Sequence, residues 1–549
     1  MNIIKVKRLV CLSIIVLSNT IVFAQNNEGQ LHGNFQVDAQ VYRNDSAIGA
    51  EVPPSKMGLN SYANFTYTKR NFTAGLRYEG YMDAMLGYDD EYNGVGVPYR
   101  FITYQNDDLE VTVGNFYEQF GSGLIFRSYE DKSLGYDNAL DGIKIKFNPY
   151  KGIYLKGFTG KQRSYFDLGP GIVRGIDGEV FINDLFSLTS EFKSQFILGG
   201  SFISKYQKDE EPIYNLPENV GAFAGRLSYV RGGFNLTGEY AYKYPDPSSD
   251  NGYIIKYGDA LLINATYSQK GLGIYLSMKR VDNMSFRSDR NASLNNLQIN
   301  YIPSITKNHT YSLAAMYPYA TQPKGEIGFH GEIMYNFSKG SFLGGKYGTN
   351  ITISYSQVNS LKTTPNADIT GYKSKYFEIG DEIYFRDINA NIHKKINAKW
   401  KLDISYLNIT FNNDVVKLIQ DDYIAKVISF GTLNANIGIL DVTYKIKPRH
   451  SLRMELQGLF TEEDKGDWTM GLLEYTIAPK WFLSISDQYN YGNTYNKLHY
   501  FNVAAGFKKN ANRIQVGYGR QREGVICIGG VCRNVPAASG FNISITSSF

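Results

Sequence analysis

Apolar and polar side chains alternate almost from the start of the chain. Phe35, Val37, Ala39 and Val41 share one face of an extended segment, and Asn34, Gln36, Asp38 and Gln40 share the other. Phe72, Ala74, Leu76 and Tyr78 oppose Thr73, Gly75, Arg77 and Glu79 in the same way. Far downstream, Leu452, Met454 and Leu456 oppose Arg453, Glu455 and Gln457, and Phe501, Val503, Ala505 and Phe507 oppose Tyr500, Asn502, Ala504 and Gly506. A period of two is that of a β-strand with one apolar face. Runs of about ten such residues, repeated along the chain, are the signature of strands that turn one face to acyl chains and the other to an enclosed interior.

The connections support that reading. Short polar turns fall at 69–71, 106–108, 148–151, 447–450 and 509–512. Longer polar stretches fall between them, at 44–56, 82–97, 117–138, 162–174, 207–217, 244–257, 281–292, 358–381 and 523–539. Short turns at one end and long loops at the other are the habit of transmembrane up-and-down antiparallel barrels, and pairing the strands predicts about 26 of them, within a range of about 22 to 26. Two places disturb the alternation. The apolar set switches from Leu402, Ile404 and Tyr406 to Leu407, Ile409 and Phe411, and it switches again between Ile439 and Leu440; a bulge or an extra turn accounts for either. Residues 184–193 suit either a strand or a long connection.

Composition removes other classes. Of 549 residues, 44 are Tyr and 32 are Phe, so the chain is too aromatic for a disordered protein. Three Cys are too few for a disulfide scaffold. After residue 24 no apolar stretch is long enough for a membrane helix, so insertion has to use strands closed into a barrel. A soluble sandwich array or propeller would repeat at a fixed period, and no repeated motif is seen. The formal net charge of +5 includes Lys5, Lys7 and Arg8, so the rest of the chain is near neutral, which argues against nucleic-acid binding and against a phosphate-selective pore. The six His are scattered and no catalytic spacing or ligand set stands out, so neither an enzyme nor a cofactor is expected.

Residues 1–24 read as a secretory signal peptide, with Lys5, Lys7 and Arg8 ahead of the apolar run Leu9 to Val22 and cleavage after Ala24. Residues 25–549 are then the barrel. Alternation begins near Leu31, which predicts that no plug domain precedes it. The chain ends on an alternating segment in which Phe541, Ile543, Ile545 and Phe549 share a face. This resembles the closing strand of Gram-negative outer-membrane barrels, whose terminal aromatic is read by the assembly machinery. The resemblance implies that location, with outer-membrane lipid and the assembly machinery as partners.

The segment 113–124, with Gly114, Gly121 and Gly123, and the segment 139–147, with Asp141-Gly142, resemble the strand–loop–strand of alginate-export and related porin barrels; Asn115 stands where that pattern has Arg. The resemblance implies that loop 117–138 folds over the lumen, with Arg127, Glu130, Asp131 and Lys132 available to a constriction. Polar-face charges add Arg77, Glu79, Lys144, Lys146, Arg226, Glu239, Lys279, Arg453, Glu455 and Arg513 as lumen candidates, either lining a pathway or paired along the wall. The proline-bounded aromatic run 315–326 suits recognition or plain turn geometry. Cys527 and Cys532 flank Gly529-Gly530 and are expected to form a disulfide in a loop.

Across its length the chain is similar to uncharacterised outer-membrane barrels of the Bacteroidota, some of which serve secretion and gliding. Two functions are expected on these grounds: a porin-like channel for hydrophilic solutes, or a structural or secretion-associated barrel that binds a protein partner.

Overall fold

The computed structural model describes residues 29–188, 193–293, 295–416, 430–528 and 531–549. The expected signal peptide and the Gly529-Gly530 turn lie outside the described residues.

Twenty-four strands close into one antiparallel barrel. Each strand of the wall pairs with its neighbours along the wall. Gln30–Tyr42 pairs with Met57–Lys69 on one edge and with the last strand, Ala538–Ser548, on the other. That second pairing sets Val37 against Ile545 and Ala39 against Ile543, so the closing strand docks apolar face beside apolar face. Phe549 completes the seam by stacking on Phe35 at 6.0 Å. No backbone edge is left open among the wall strands, which is the condition for a sheet to sit in lipid.

The count is 24 rather than 26, and the difference has a local cause. The loop that the alternation ends at 292 runs on to 324, where Gly325–Phe337 resumes the wall. Two expected loops are shorter than their polarity suggests. Ile153–Ser164 and Asp167–Phe181 meet at a two-residue turn, and Thr349–Pro365 and Tyr372–Lys395 carry the sheet through most of 358–381. Residues 182–185 form a single helical turn that begins the connection to Ser194–Tyr206.

The outer face carries an apolar belt. Leu276, Ile353, Met454, Leu456, Leu483 and Ile485 are each 47–56 % exposed, a level no soluble wall would tolerate all round. Aromatic pairs rim it at the short-turn end: Trp400 on Tyr444, Trp481 on Phe507 and Phe72 on Tyr104, at 4.4–5.1 Å.

The two switches of apolar parity mark the other edge of this belt. Trp400–Asn412 pairs without interruption on both sides, so there is no bulge. Ile404 and Tyr406 face outward, and beyond Tyr406 the outward positions are Asn408, Thr410 and Asn412, while Leu407, Ile409 and Phe411 are buried inside. The neighbouring strand Thr432–Lys447 switches at the same height. Its outward Asn434 and Asn436 give way to Leu440, and its inward Leu433, Ala435, Ile437 and Ile439 give way to Asp441. Hydrogen bonds from Tyr406 to Asn436 (2.8 Å), Asn408 to Asn436 (3.0 Å) and Thr410 to Asn434 (3.0 Å) run along the wettable outer strip. Above the belt these two strands are inside-out: their polar face points away from the barrel and their oily face points in.

The hairpin Thr349–Pro365/Tyr372–Lys395 leans over the outside of Gly258–Gln269 and Leu272–Asp282. Tyr372 donates to Asp282 at 2.6 Å, Ser374 also donates to Asp282, and the amide of Ile255 donates to Ile369 at 2.8 Å. Arg280, buried beneath, pairs with Asp259 and Asp282 and lies 4.3 Å from the ring of Tyr376.

In protein refolded into lipid vesicles, Ile485→Arg is expected to destabilise by about 2–4 kcal/mol, whereas Thr432→Arg, at an exposed position above the belt edge, changes stability by less than about 1 kcal/mol. Urea titration of both variants checks the pair.

Candidate functional site: a lumen filled from the loop end

The candidate site is the interior. Two segments, 117–139 and the described residues of 283–324, leave the wall at the long-loop end and fold into the lumen. The first enters as an aromatic wedge. Phe120, Leu124, Ile125 and Phe126 are fully buried, and Phe126 and Phe120 lie 4.4 and 5.4 Å from wall residue Phe158. Its tip is held by Glu239, whose carboxylate accepts the Ser122 amide at 2.6 Å. Gly121 has φ +50°, and a Cβ there would stand 2.5 Å from that carboxylate, so the close approach needs glycine.

The second segment is knit to the first by backbone. The Arg127 amide donates to Ile299 and the Tyr301 amide to Gly123, both at 2.9 Å, and the Arg127 guanidinium is sandwiched between Tyr129 and Tyr301 at 4.3 and 4.2 Å. Three buried wall lysines hook its carbonyls: Lys205 donates to Arg287 at 2.8 Å, Lys243 to Ser285 at 2.7 Å and Lys279 to Pro303 at 2.6 Å. Farther round the wall, His309 meets Asp387 at 2.7 Å, and the Leu313 amide donates to Gln457 at 2.9 Å. The aromatic run 315–326 ends this segment, with Tyr319 bonded to Glu326 and Tyr317 donating to Asp464 at 3.2 Å.

The sequence candidates fall into separate groups. Arg77, Glu79 and Glu130 meet in one buried cluster with Asp137, Arg163 and Tyr117. Arg77 reaches Glu79 at 2.6 Å, Glu130 at 2.9 Å and Asp137 at 2.5 Å. Arg163 reaches Glu79 and Asp137, each at 2.6 Å. Burial raises the Glu130 carboxyl above its usual range, with Arg77 opposing and Asp137 adding to the rise. Glu79, Glu130 and Asp137 are close enough to share a cation, but both arginines already occupy them, so the cluster is a latch between wall and infolded loop rather than a metal site. Lys132 packs 4.2 Å over the Tyr62 ring beside it.

Lys144 and Lys146 surround Glu110 and Glu118 together with Lys156. Burial works against the Glu118 charge, but Lys156 and Lys146 outweigh it and hold its carboxyl below the usual range. Arg226 pairs with Asp177 at 2.7 Å and Glu179 at 2.9 Å. Arg453 pairs with Asp441 at 2.8 Å and also with Glu455. Arg513 is exposed, donates to Gln515 at 2.6 Å, and makes no ion pair among the described residues. Cys527 and Cys532 are bonded in a small hairpin, Gly524–Ile528/Val531–Val535, that tucks against the plug; Asn295 donates to the Cys532 carbonyl at 2.6 Å.

Sequence reasoning missed Asp137, Arg163 and the lysine hooks Lys205 and Lys243, which no local motif marks. It also missed the reach of 283–324. The signal there was Pro303 ahead of the proline-bounded run 315–326, since proline is confined to edges and bulges of a sheet and the wall could not readily resume between 292 and 324.

The lumen differs from end to end. In the latch, side chains of Glu79 and Arg163 are 1–2 % exposed, whereas toward the short turns Lys146 is 36 %, Arg453 33 % and Glu179 33 % exposed. Water therefore reaches the charged wall below a dry plug.

The sequence profile of the Family of unknown function (DUF6029) matches residues 6–549. No curated protein matches the chain. Solved structures similar to it include the siderophore receptor PirA from Pseudomonas aeruginosa, at 10 % identity over 96 % of this chain and 82 % of that one with a TM-score of 0.41. The copper transporter OprC is similar at 8 % identity over 96 % and 81 %, TM-score 0.39. OpdQ from Pseudomonas aeruginosa is similar at 11 % identity over 83 % and 96 %, TM-score 0.32.

Arg163→Met leaves Glu79 and Asp137 with Arg77 alone and is expected to cost about 3–5 kcal/mol of latch stability, as loss of one partner does for buried ions. Limited trypsin digestion of the folded barrel checks it: cleavage after Lys132, slow in the unaltered protein, becomes fast in the variant.

Proposed function

We propose that this chain, which belongs to the family of unknown function DUF6029, is a Gram-negative outer-membrane barrel that serves as a gated, porin-like pathway for small hydrophilic solutes. The apolar belt and its aromatic rim support the membrane setting, with the short turns in the periplasm and the long loops outside. The observation that carries the gated pathway is the wetted, charged wall lying beneath a plug. A barrel meant only as scaffold has no need of Lys146, Arg453 and Glu179 facing its interior with 33–36 % of each side chain exposed. Beside its apolar wedge, the plug meets the wall through ion pairs and hydrogen bonds that can exchange for water.

The filled loop-end lumen favours a second reading, a barrel whose outer loops bind a protein partner. Single-channel recording separates the two. Folded protein in a planar bilayer is expected to open briefly and seldom, and Arg163→Met to raise the open fraction at least about tenfold, in keeping with the several kcal/mol removed from the latch. Silence of both proteins, together with a stoichiometric partner recovered from outer membranes, refutes the pathway and supports the partner.

A further inference from the structure

At the loop-end mouth, outside the latch, lies a cavity of about 460 Å³. Its walls are built by Met316, Tyr317 and Pro318 of the lumen-crossing segment, Phe411 of the wall, and Val525 and Val535 of the disulfide hairpin. Tyr317 and Phe411 stand 5.5 Å apart, so the apolar part is partly aromatic. A mostly apolar cavity with a few convergent polar groups is the usual form of a small-molecule site.

The polar groups are not all satisfied. Trp468 and Asn413 both line the cavity and are 1 % and 2 % exposed, yet among the described residues the Trp468 Nε1–H has no acceptor and the Asn413 Oδ1 no donor. Buried polar groups are seldom left so, and each such orphan costs stability. Four charged residues also line the cavity. Lys465 and Glu523 neutralise each other at 2.6 Å, and Asp464 accepts the Tyr317 hydroxyl at 3.2 Å. Among the described residues Arg522 forms no ion pair with a carboxylate; its guanidinium donates to the Glu523 carbonyl at 3.2 Å and lies 5.8 Å from the Trp468 ring. Burial holds that guanidinium below the usual arginine range, against the pull of the acidic groups around it.

We propose that this cavity binds a small organic carboxylate with an apolar body, the carboxylate on Arg522 and the body against Tyr317, Phe411 and Met316. A carboxylate supplies two planar acceptors to the guanidinium fork, and an acceptor is what Trp468 Nε1 lacks. The apolar body replaces water on surface that is already concave and dry-walled. The inference goes beyond the pathway reading, because the site exists whether or not the barrel conducts.

Isothermal titration of the folded full-length barrel in detergent tests it. The probes are 3-phenylpropionate and hexanoate, each matched with its uncharged amide. Both acids are expected to bind saturably, with each amide weaker by about tenfold or more, the loss typical of a charge-assisted contact. Arg522→Gln abolishes the preference of acid over amide; Arg522→Lys, which keeps the charge and guards against a misfolded Gln variant, retains part of it. Heat-dependent migration in detergent gels confirms that each variant is folded. Absence of binding by both acids at millimolar concentration, equal binding of acid and amide, or an unchanged preference in folded Arg522→Gln overturns the proposal. These outcomes are independent of conductance, so failure here and failure of the pathway reading are read separately.

Discussion

A sheet in lipid must pair every backbone donor and acceptor within itself, and the only way to do so is to close. Here closure takes 24 strands, sealed where Ala538–Ser548 pairs with Gln30–Tyr42. That number sets the demands on the interior. A barrel of about eight strands fills its own interior with wall side chains, but one this wide does not. The space inside has to hold water, a partner or the chain's own loops. This chain uses its loops at one end and leaves charged wall in contact with water at the other.

Filling a lumen from one end changes what the wall must be. Where the plug sits, many inward positions are alanine, leucine, isoleucine and phenylalanine, because they pack as a protein core does, and the charged ones among them are buried and paired. Where the plug ends, inward positions become aspartate, arginine and lysine. On Trp400–Asn412 and Thr432–Lys447 the outer face reverses in turn at the edge of the belt. The strand Trp400–Asn412 therefore carries two amphipathic patterns of opposite sense, one for the bilayer and one for the water above it. The junction between wall and plug uses few, strong contacts: two arginines shared among three carboxylates, and three lysines on carbonyls. Such groups are costly to bury unpaired, so they fix where each segment docks more sharply than apolar contact alone.

Much of this architecture was legible in the sequence, because a period of two reports directly which face meets lipid. Arg77, Glu79 and Arg226 were readable as inward for that reason. The parity switches near Leu407 and Leu440 were legible as anomalies but not as the belt edge. A single strand shows that its oily face has changed sides; it does not show that its neighbour changes at the same height. The segment 283–324 misled because Leu297, Ile299 and Tyr301 alternate like a strand while packing inside a plug. Asp137 and Arg163 were invisible as a pair because the contact joins residues 26 apart across a loop, and nothing local in the sequence encodes it.

The outer hairpin has a mechanical consequence. Its Tyr372 and Ser374 grip Asp282, the last residue of its strand, and the lumen-crossing segment departs from the very next residue, Asn283. A handle standing in the surrounding water is thus tied to the root of the stopper. Whatever grasps or tilts that handle transmits force to the point at which the stopper leaves the wall, without having to enter the barrel at all.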